Sequence, residues 1–204
     1  TRRTDGVSET VVLYENRGDG TFVQQSSATI QVDGYSPIVA DFDNDGDDDL
    51  LTTFEGDYAQ FYRNDGAWSF TKLAETGAEI HGGDVRGAAM IDLENDGDLD
   101  ILATRADMLN VVLENQLDNG HNYLKINVEG PNGNAVGYGS KIWVFEAGHL
   151  NDMGALIAYK EVVSTTGHIS QNSPTQHIGL ANETVCDLLV EFSDGTLVAH
   201  RNVV

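Results

Sequence analysis

Two acidic stretches decide the fold of this chain: Asp41-Phe-Asp-Asn-Asp-Gly-Asp-Asp-Asp49 and, 51 positions later, Asp92-Leu-Glu-Asn-Asp-Gly-Asp-Leu-Asp100. Both place an acidic residue at the first, third, fifth, seventh and ninth positions and a glycine at the sixth. Together they hold 11 of the 33 acidic residues, and such crowded like charges repel one another unless a cation neutralises them. Their common internal order indicates a structural repeat.

Short apolar runs flank each acidic stretch and predict that it connects two β-strands. The flanking runs occupy residues 37–40, 50–53, 87–91 and 101–104. A later run ending in Asn recurs at residues 11–16, 61–64 and 111–115. Glycine-containing turns at residues 18–22 and 65–70 predict hairpins, so a complete repeat has roughly four strands. The chain therefore holds two complete repeats and, at its start, a partial repeat without an acidic stretch.

The acidic stretches predict two calcium sites, because alternate positions of a tightly curled loop bring several hard oxygen ligands to one hard cation. Gly46 and Gly97 permit the sharp turn. In the first loop we expect side-chain ligands from Asp41, Asp43, Asp45 and Asp49 and the backbone carbonyl of Asp47. In the second loop the equivalents are Asp92, Glu94, Asp96 and Asp100, with the carbonyl of Asp98. The longer Glu94 makes the second loop the less regular of the two.

The sequence changes character after residue 120. From residue 121 onward the acidic repeat is absent, and apolar or alternating runs separated by Gly, Asn and Asp turns are typical of a β-sandwich. These runs occupy residues 123–128, 141–145, 158–163, 185–192 and 197–200. We therefore divide the chain into a repeat module, residues 1–120, and a C-terminal module, residues 121–204, and expect the two to pack together.

Composition excludes several classes of function. The formal net charge of −22 disfavours nucleic acid and anionic membrane surfaces as partners, and no run is long enough to cross a bilayer. Cys186 is the single cysteine, so it forms no intrachain disulfide, and its apolar surroundings predict a buried thiol. The histidines and serines fit no nucleophile or metalloenzyme motif, so we expect no catalytic site. His177 is expected beside a turn, and Gly179 at a left-handed or close-packed position.

Two known families resemble these residues. Residues 40–50 and 91–101 resemble the FG-GAP or VCBS repeats of integrin-like β-propellers. Residues 139–144, 167–171, 177–180 and 193–196 resemble the ASPIC/UnbV module that follows such repeats in bacterial and cartilage acidic protein-like proteins. The resemblance implies an all-β fold, with propeller-blade-like repeats and a β-sandwich-like C-terminal module, and a secreted or cell-surface calcium-binding role in adhesion or matrix. Two and a half repeats are too few to close a propeller.

Three function classes remain open from the sequence. The first is a calcium-stabilised adhesion or assembly module, because the partial N-terminal repeat leaves a strand edge that needs a cover. The C-terminal module of the same chain could cover it, or a protein partner or a second copy, and head-to-tail contacts between copies would give a filament or matrix. The second is a calcium-dependent lectin, in which aromatic residues stack on glycans; the candidates are Tyr35, Tyr58, Trp68 and Tyr138. The third is an accessory domain of a larger propeller protein. Asn182 lies in a glycosylation sequon.

Overall fold

The computed structural model describes residues 9–32, 37–52, 60–74, 85–166 and 170–204. Within these ranges the chain is all-β, and its one helical segment is the 3-10 turn Met153–Ala155. The all-β prediction is confirmed. Tyr35 and Tyr58 lie outside the described residues.

In the described part of the repeat module, the strands form three antiparallel sheets. Strands β1 (Glu9–Asn16) and β2 (Phe22–Val32) form a hairpin. Strands β3 (Pro37–Ala40), β4 (Asp49–Thr52), β5 (Gln60–Asn64) and β6 (Phe70–Leu73) form a four-stranded sheet in chain order. Strands β7 (Val85–Ile91), β8 (Asp100–Arg105) and β9 (Val111–Leu113) form a three-stranded sheet. Both predicted hairpins are present, and each acidic stretch connects two neighbouring antiparallel strands as expected.

The second complete repeat differs from the expected four strands. In the described residues its sheet ends at β9, because the chain then runs through residues 114–121 into a strand of the C-terminal module. The β3–β6 sheet is thus the one repeat described with all four strands, and the described sheets do not close into a propeller or barrel.

Strand β4 is buried along its whole length because sheets cover both of its faces. Its residue Leu50 packs with Ile30 of β2 and Tyr62 of β5. The next residue, Leu51, belongs to the opposite cluster, which includes Ile101 of β8. Successive side chains of a strand alternate between its two faces. The three sheets therefore stack, with the four-stranded sheet in the middle.

The described strands of the C-terminal module form two sheets. Strands β10 (Asn122–Ile126) and β13 (Gln176–Ala181) pair with each other. Strands β11 (Lys141–Glu146), β12 (Leu156–Glu161), β14 (Cys186–Glu191) and β15 (Leu197–Val203) form a second sheet in the order β12-β11-β14-β15. Ile178 of β13 shares one core with Ile142 and Val190 of the larger sheet, so the module has the expected sandwich-like core. Cys186 is fully buried there, as predicted.

Strand β13 corrects one sequence-based prediction. We expected His177 beside a turn, but it lies within the strand and pairs with Lys125 of β10. The strand is short and contains polar residues and Gly179, so its pattern is weak. Its burial comes from neighbours on both sides, which a single sequence does not show.

Candidate metal centre

The first acidic loop joins β3 to β4 and curls around the carboxylate of Asp41. Asp41 Oδ1 accepts a hydrogen bond from the backbone N–H of Asp45 at 3.1 Å, and Oδ2 accepts one from Gly46 at 3.0 Å. Gly46 adopts a φ of 99°, a left-handed conformation that glycine adopts without steric cost. The predicted role of Gly46 in the turn is therefore visible in the backbone.

Three carboxylates converge inside this loop. Ligand oxygens of Asp41, Asp43 and Asp49 all lie within 4.8 Å of one another. Asp41 is 3% exposed and Asp49 is fully buried. Asp49 accepts hydrogen bonds from the backbone N–H groups of Phe42 and Asn64, at 3.0 Å and 2.8 Å. These bonds fix the carboxylate at the start of β4, facing the other two.

Asp43 gives the clearest test of whether the loop fits a cation. Its Oδ1 is buried and has no hydrogen-bond donor among the described residues. Leaving such an oxygen unpaired in the protein interior is costly, and native structures rarely do so without a reason. A hard divalent cation would satisfy this oxygen and neutralise its neighbours. The donor set of the first loop therefore fits calcium.

Electrostatics in the loop point the same way. Burial raises the pKa of Asp41 to about 6 and that of Asp49 to about 7, against the opposing effect of the backbone N–H groups that they bind. Burial, together with the charge of Asp45, also raises the pKa of Asp43. Three carboxylates this close cannot all carry a charge cheaply without a counterion.

The remaining predicted ligands of the first loop lie closer to solvent. Asp45 Oδ1 accepts a hydrogen bond from the backbone N–H of Asp47 at 2.9 Å, and the Asp47 residue is exposed. Neither belongs to the group of three converging carboxylates. The proposed ligand roles of the Asp45 side chain and the Asp47 carbonyl stay predictions.

The second loop repeats the hydrogen bonds of the first. Asp92 accepts from the backbone N–H groups of Asp96 and Gly97, at 3.1 Å and 2.9 Å, as Asp41 does from Asp45 and Gly46. Asp100 likewise accepts from Leu93 at 2.7 Å and Asn115 at 2.8 Å, and Asp96 accepts from Asp98 at 3.1 Å. The backbone of the loop is therefore built on the same plan.

The second loop nevertheless differs in its side chains. Glu94 is exposed, and in this fully described loop the carboxylates do not converge as Asp41, Asp43 and Asp49 do. Lys125 of β10 forms an ion pair with Asp92 Oδ2 and donates to Asn95 Oδ1 at 2.8 Å. Burial acts to raise the pKa of Asp92, but the hydrogen bond and charge of Lys125, together with the backbone N–H groups of Gly97 and Asp96, outweigh burial and lower the pKa. A lysine thus neutralises part of this loop.

Sequence reasoning missed two groups of residues at these loops. Asn64 ends β5 and Asn115 follows β9 by two residues, and their backbone N–H groups donate to Asp49 and Asp100. Their recurrence at one repeat position was the available signal. Lys125 and His177 contact the loops from the C-terminal module. His177 falls in a stretch that resembles the ASPIC/UnbV module, but no pattern in the sequence indicates that either residue contacts an acidic loop.

The structure thus defines a class: an all-β protein whose stacked repeat sheets carry acidic loops and whose C-terminal sandwich packs on those loops. Comparison with protein families identifies the repeats and the sandwich. The FG-GAP-like repeat model matches residues 4–52 and 41–103, and the ASPIC and UnbV model matches residues 130–204. The chain therefore consists of FG-GAP-like repeats followed by an ASPIC/UnbV domain, which confirms the resemblance.

A search of curated proteins found no match to this chain. FG-GAP repeats are typical of extracellular or surface proteins. Across the described residues, no helix has the length and apolar character that a membrane span requires.

Proposed function

We propose that this protein is an extracellular calcium-binding protein with a structural or adhesive role, and that it works by binding and not by catalysis. The observation that carries the proposal is the buried Asp43 Oδ1, unpaired in the described structure and converging with Asp41 and Asp49. Calcium would supply positive charge to this group and join the start of the loop to the start of β4. In the proposal, both loops bind calcium through the ligand sets expected from the sequence.

Calcium suits these loops better than magnesium does. The expected ligands of each loop are four acidic side chains and one backbone carbonyl, and calcium accepts six to eight oxygens in variable geometry. Magnesium requires a smaller octahedron and retains water. The proposed role of the cation is structural, because it would hold together a loop that connects β3 to β4 and contacts the C-terminal module.

Isothermal titration calorimetry with calcium tests the proposal directly. Asp43→Asn should weaken binding at the first loop by at least about tenfold, because it removes a charged ligand oxygen. Asp107→Asn is the matched control, because Asp107 is an exposed acidic residue of the same module and lies outside both acidic loops. Wild-type protein that takes up no calcium, or equal loss in both variants, would refute the proposal.

We further propose that the protein self-associates through the partial N-terminal repeat. Tyr14 and Phe22 are 56% and 62% exposed, although Leu13 of the same hairpin is partly buried against the neighbouring sheet. Among the described strands, β1 pairs with β2 alone, so its other edge lacks a neighbour. An exposed aromatic face beside an unpaired edge suits the addition of another β element.

Carbohydrate binding is the second candidate, and a cavity favours it. A cavity of about 470 Å³ lies between the acidic loops and the C-terminal module. Its walls include Asn127, Asn172, Thr175 and Gln176, which offer amide and hydroxyl groups suited to a hydroxyl-rich ligand. Of the aromatic candidates, the Tyr138 hydroxyl is already bound by Gln171 at 2.8 Å. A glycan array probed with and without calcium tests this candidate, and uniform absence of binding would exclude it.

A further inference from the structure

We infer that the C-terminal module completes the first calcium site: β13 and its residue His177 position the first acidic loop through Asn44. The inference rests on the proposed calcium binding and adds residues that are not ligands. His177 and Gly179 lie more than 130 positions from the loop that they contact. They would act as positioning residues, because they reach the cation only through Asn44 and Asp41.

Asn44 is the residue through which the modules meet. It lies between the predicted ligands Asp43 and Asp45, is 3% exposed and adopts a φ of 58°. Its carbonyl oxygen accepts a hydrogen bond from the backbone N–H of Ala181 at 2.8 Å. Its Oδ1 lies 2.6 Å from His177 Nε2. The middle of the loop is therefore fixed by the C-terminal module at both its backbone and its side chain.

The same side chain also reaches the second loop. Asn44 Nδ2 donates to the carbonyl oxygen of Gly97 and to Asp98 Oδ1, each at 3.1 Å. Because Nδ2 is the donor in these bonds, Oδ1 is the acceptor toward His177, and His177 Nε2 carries the proton. The ring of Tyr123 stacks on His177 at 5.5 Å between centroids and holds it in place. His177 thus acts as a rigid neutral donor.

Gly179 brings the strand against the ligand carboxylate itself. Its backbone N–H donates to Asp41 Oδ2 at 3.1 Å. A Cβ atom at this position would lie 2.1 Å from Asp41 Oδ2 and 2.4 Å from the carbonyl carbon of Asn44. Only glycine allows this approach. The expectation of a close-packed backbone at Gly179 is confirmed, and the packing partner is the acidic loop.

These contacts should set the calcium affinity. Residues that do not bind the metal but orient its ligands typically change metal affinity by about 10- to 100-fold when they are removed. Binding and docking are also linked reciprocally: if docked β13 strengthens calcium binding, calcium must stabilise the docked strand by the same factor. The amide protons of Gly179 and Ala181 bond directly to the loop, so their hydrogen exchange reports docking.

The test is calcium titration by calorimetry of the full chain, in a Glu94→Gln background that weakens the second site. His177→Ala should weaken first-loop binding about tenfold. His177→Gln, which keeps an N–H donor, should restore most of the affinity. His200→Ala, an exposed histidine of the same module, should leave it unchanged. Asn44→Gly keeps the positive φ while it removes the side chain, and Asn95→Gly is its match in the second loop.

Hydrogen exchange gives the second readout. Calcium should slow exchange at Gly179 and Ala181 while leaving the core strand β14 unchanged. This inference alone is overturned by the following combination of results. Wild-type protein, His177→Ala and Asn44→Gly all bind calcium equally well, and calcium does not change hydrogen exchange at the two amides. If wild-type protein binds no calcium, the proposed function falls and the inference falls with it. Circular dichroism verifies that each variant is folded. If His177→Ala does not fold, the calcium affinity of Asn44→Gly tests the inference instead.

Discussion

The side-chain amide of Asn115 donates a hydrogen bond to the carbonyl oxygen of Phe42 at 2.8 Å and so joins the three-stranded sheet to the first acidic loop. The equivalent residue of the preceding repeat, Asn64, turns its amide to its own loop and donates to the carbonyl oxygen of Asp48 at 3.1 Å. Both residues hold a buried aspartate through their backbone N–H. One repeat position therefore serves two purposes, closing a loop in one repeat and connecting two repeats in the next.

Truncating each asparagine in turn should distinguish the role within one repeat from the role between two repeats. Asn64→Ala and Asn115→Ala should each lower the free energy of unfolding by about 1–3 kcal/mol, because each leaves a partly buried carbonyl without its donor. Only Asn115→Ala should also increase hydrogen exchange in the β3–β4 loop of the neighbouring repeat. Urea unfolding and exchange mapped by mass spectrometry measure the two effects. Exchange changes confined to the mutated repeat in both variants would contradict the role of Asn115.

The raised carboxyl pKa values predict how stability depends on pH. Between pH 4 and 7 the folded, cation-free chain keeps protons on Asp41 and Asp49 that the unfolded chain has released, so stability should fall as pH rises. Burial lowers the pKa of His177 to about 4, which acts in the opposite sense below pH 6.5. The effect of the two carboxyl groups exceeds that of the one imidazole. The free energy of unfolding should therefore fall by a net amount on the order of a few kcal/mol as the pH rises.

Differential scanning calorimetry in chelator, from pH 5 to pH 7.5, measures this dependence. Calcium should abolish the loss of stability with rising pH, because the bound cation neutralises the carboxylates in place of the protons. Asp43→Asn should flatten the curve in chelator, since it removes one of the repelling charges. A melting temperature that rises steadily with pH in chelator would show that these carboxylates ionise freely.

Gly179→Ala should release β13 from the first acidic loop. The added methyl group would overlap Asp41 and the backbone of Asn44, and overpacking of this kind costs about 1–3 kcal/mol. Gly154→Ala is a suitable control, because Gly154 also has a negative φ and its nearest neighbour is the exposed side chain of Asp152. Limited proteolysis should cleave only the Gly179 variant between the modules. Equal resistance in both variants would mean that the strand tolerates the methyl group.

The parts of the fold that could be predicted are those with a local pattern. The acidic loops and their flanking strands follow from side-chain spacing, and alternating apolar residues mark β11 and β14. The docking of the modules has no such pattern. Asn44 and His177 are 133 positions apart, and Lys125 lies 30 positions from Asn95, so only the folded chain brings them together. Strand β13 was missed for the same reason, since contacts with the acidic loops help to bury it.

Self-association should depend on the outer face of the N-terminal hairpin. Tyr14 and Phe22 lie on one face, because Phe22 pairs with Asn16, two residues beyond Tyr14, whereas Leu13 points inward. The net charge of −22 opposes association, so calcium should promote it. We expect light scattering to show an oligomer in calcium that dissociates in chelator. Phe22→Lys should abolish the oligomer, whereas Met153→Lys, at an equally exposed position of the C-terminal module, should retain it. A wild-type chain that stays monomeric in calcium at every concentration would exclude self-association. The exposed hairpin face would then be a candidate binding surface for a different protein.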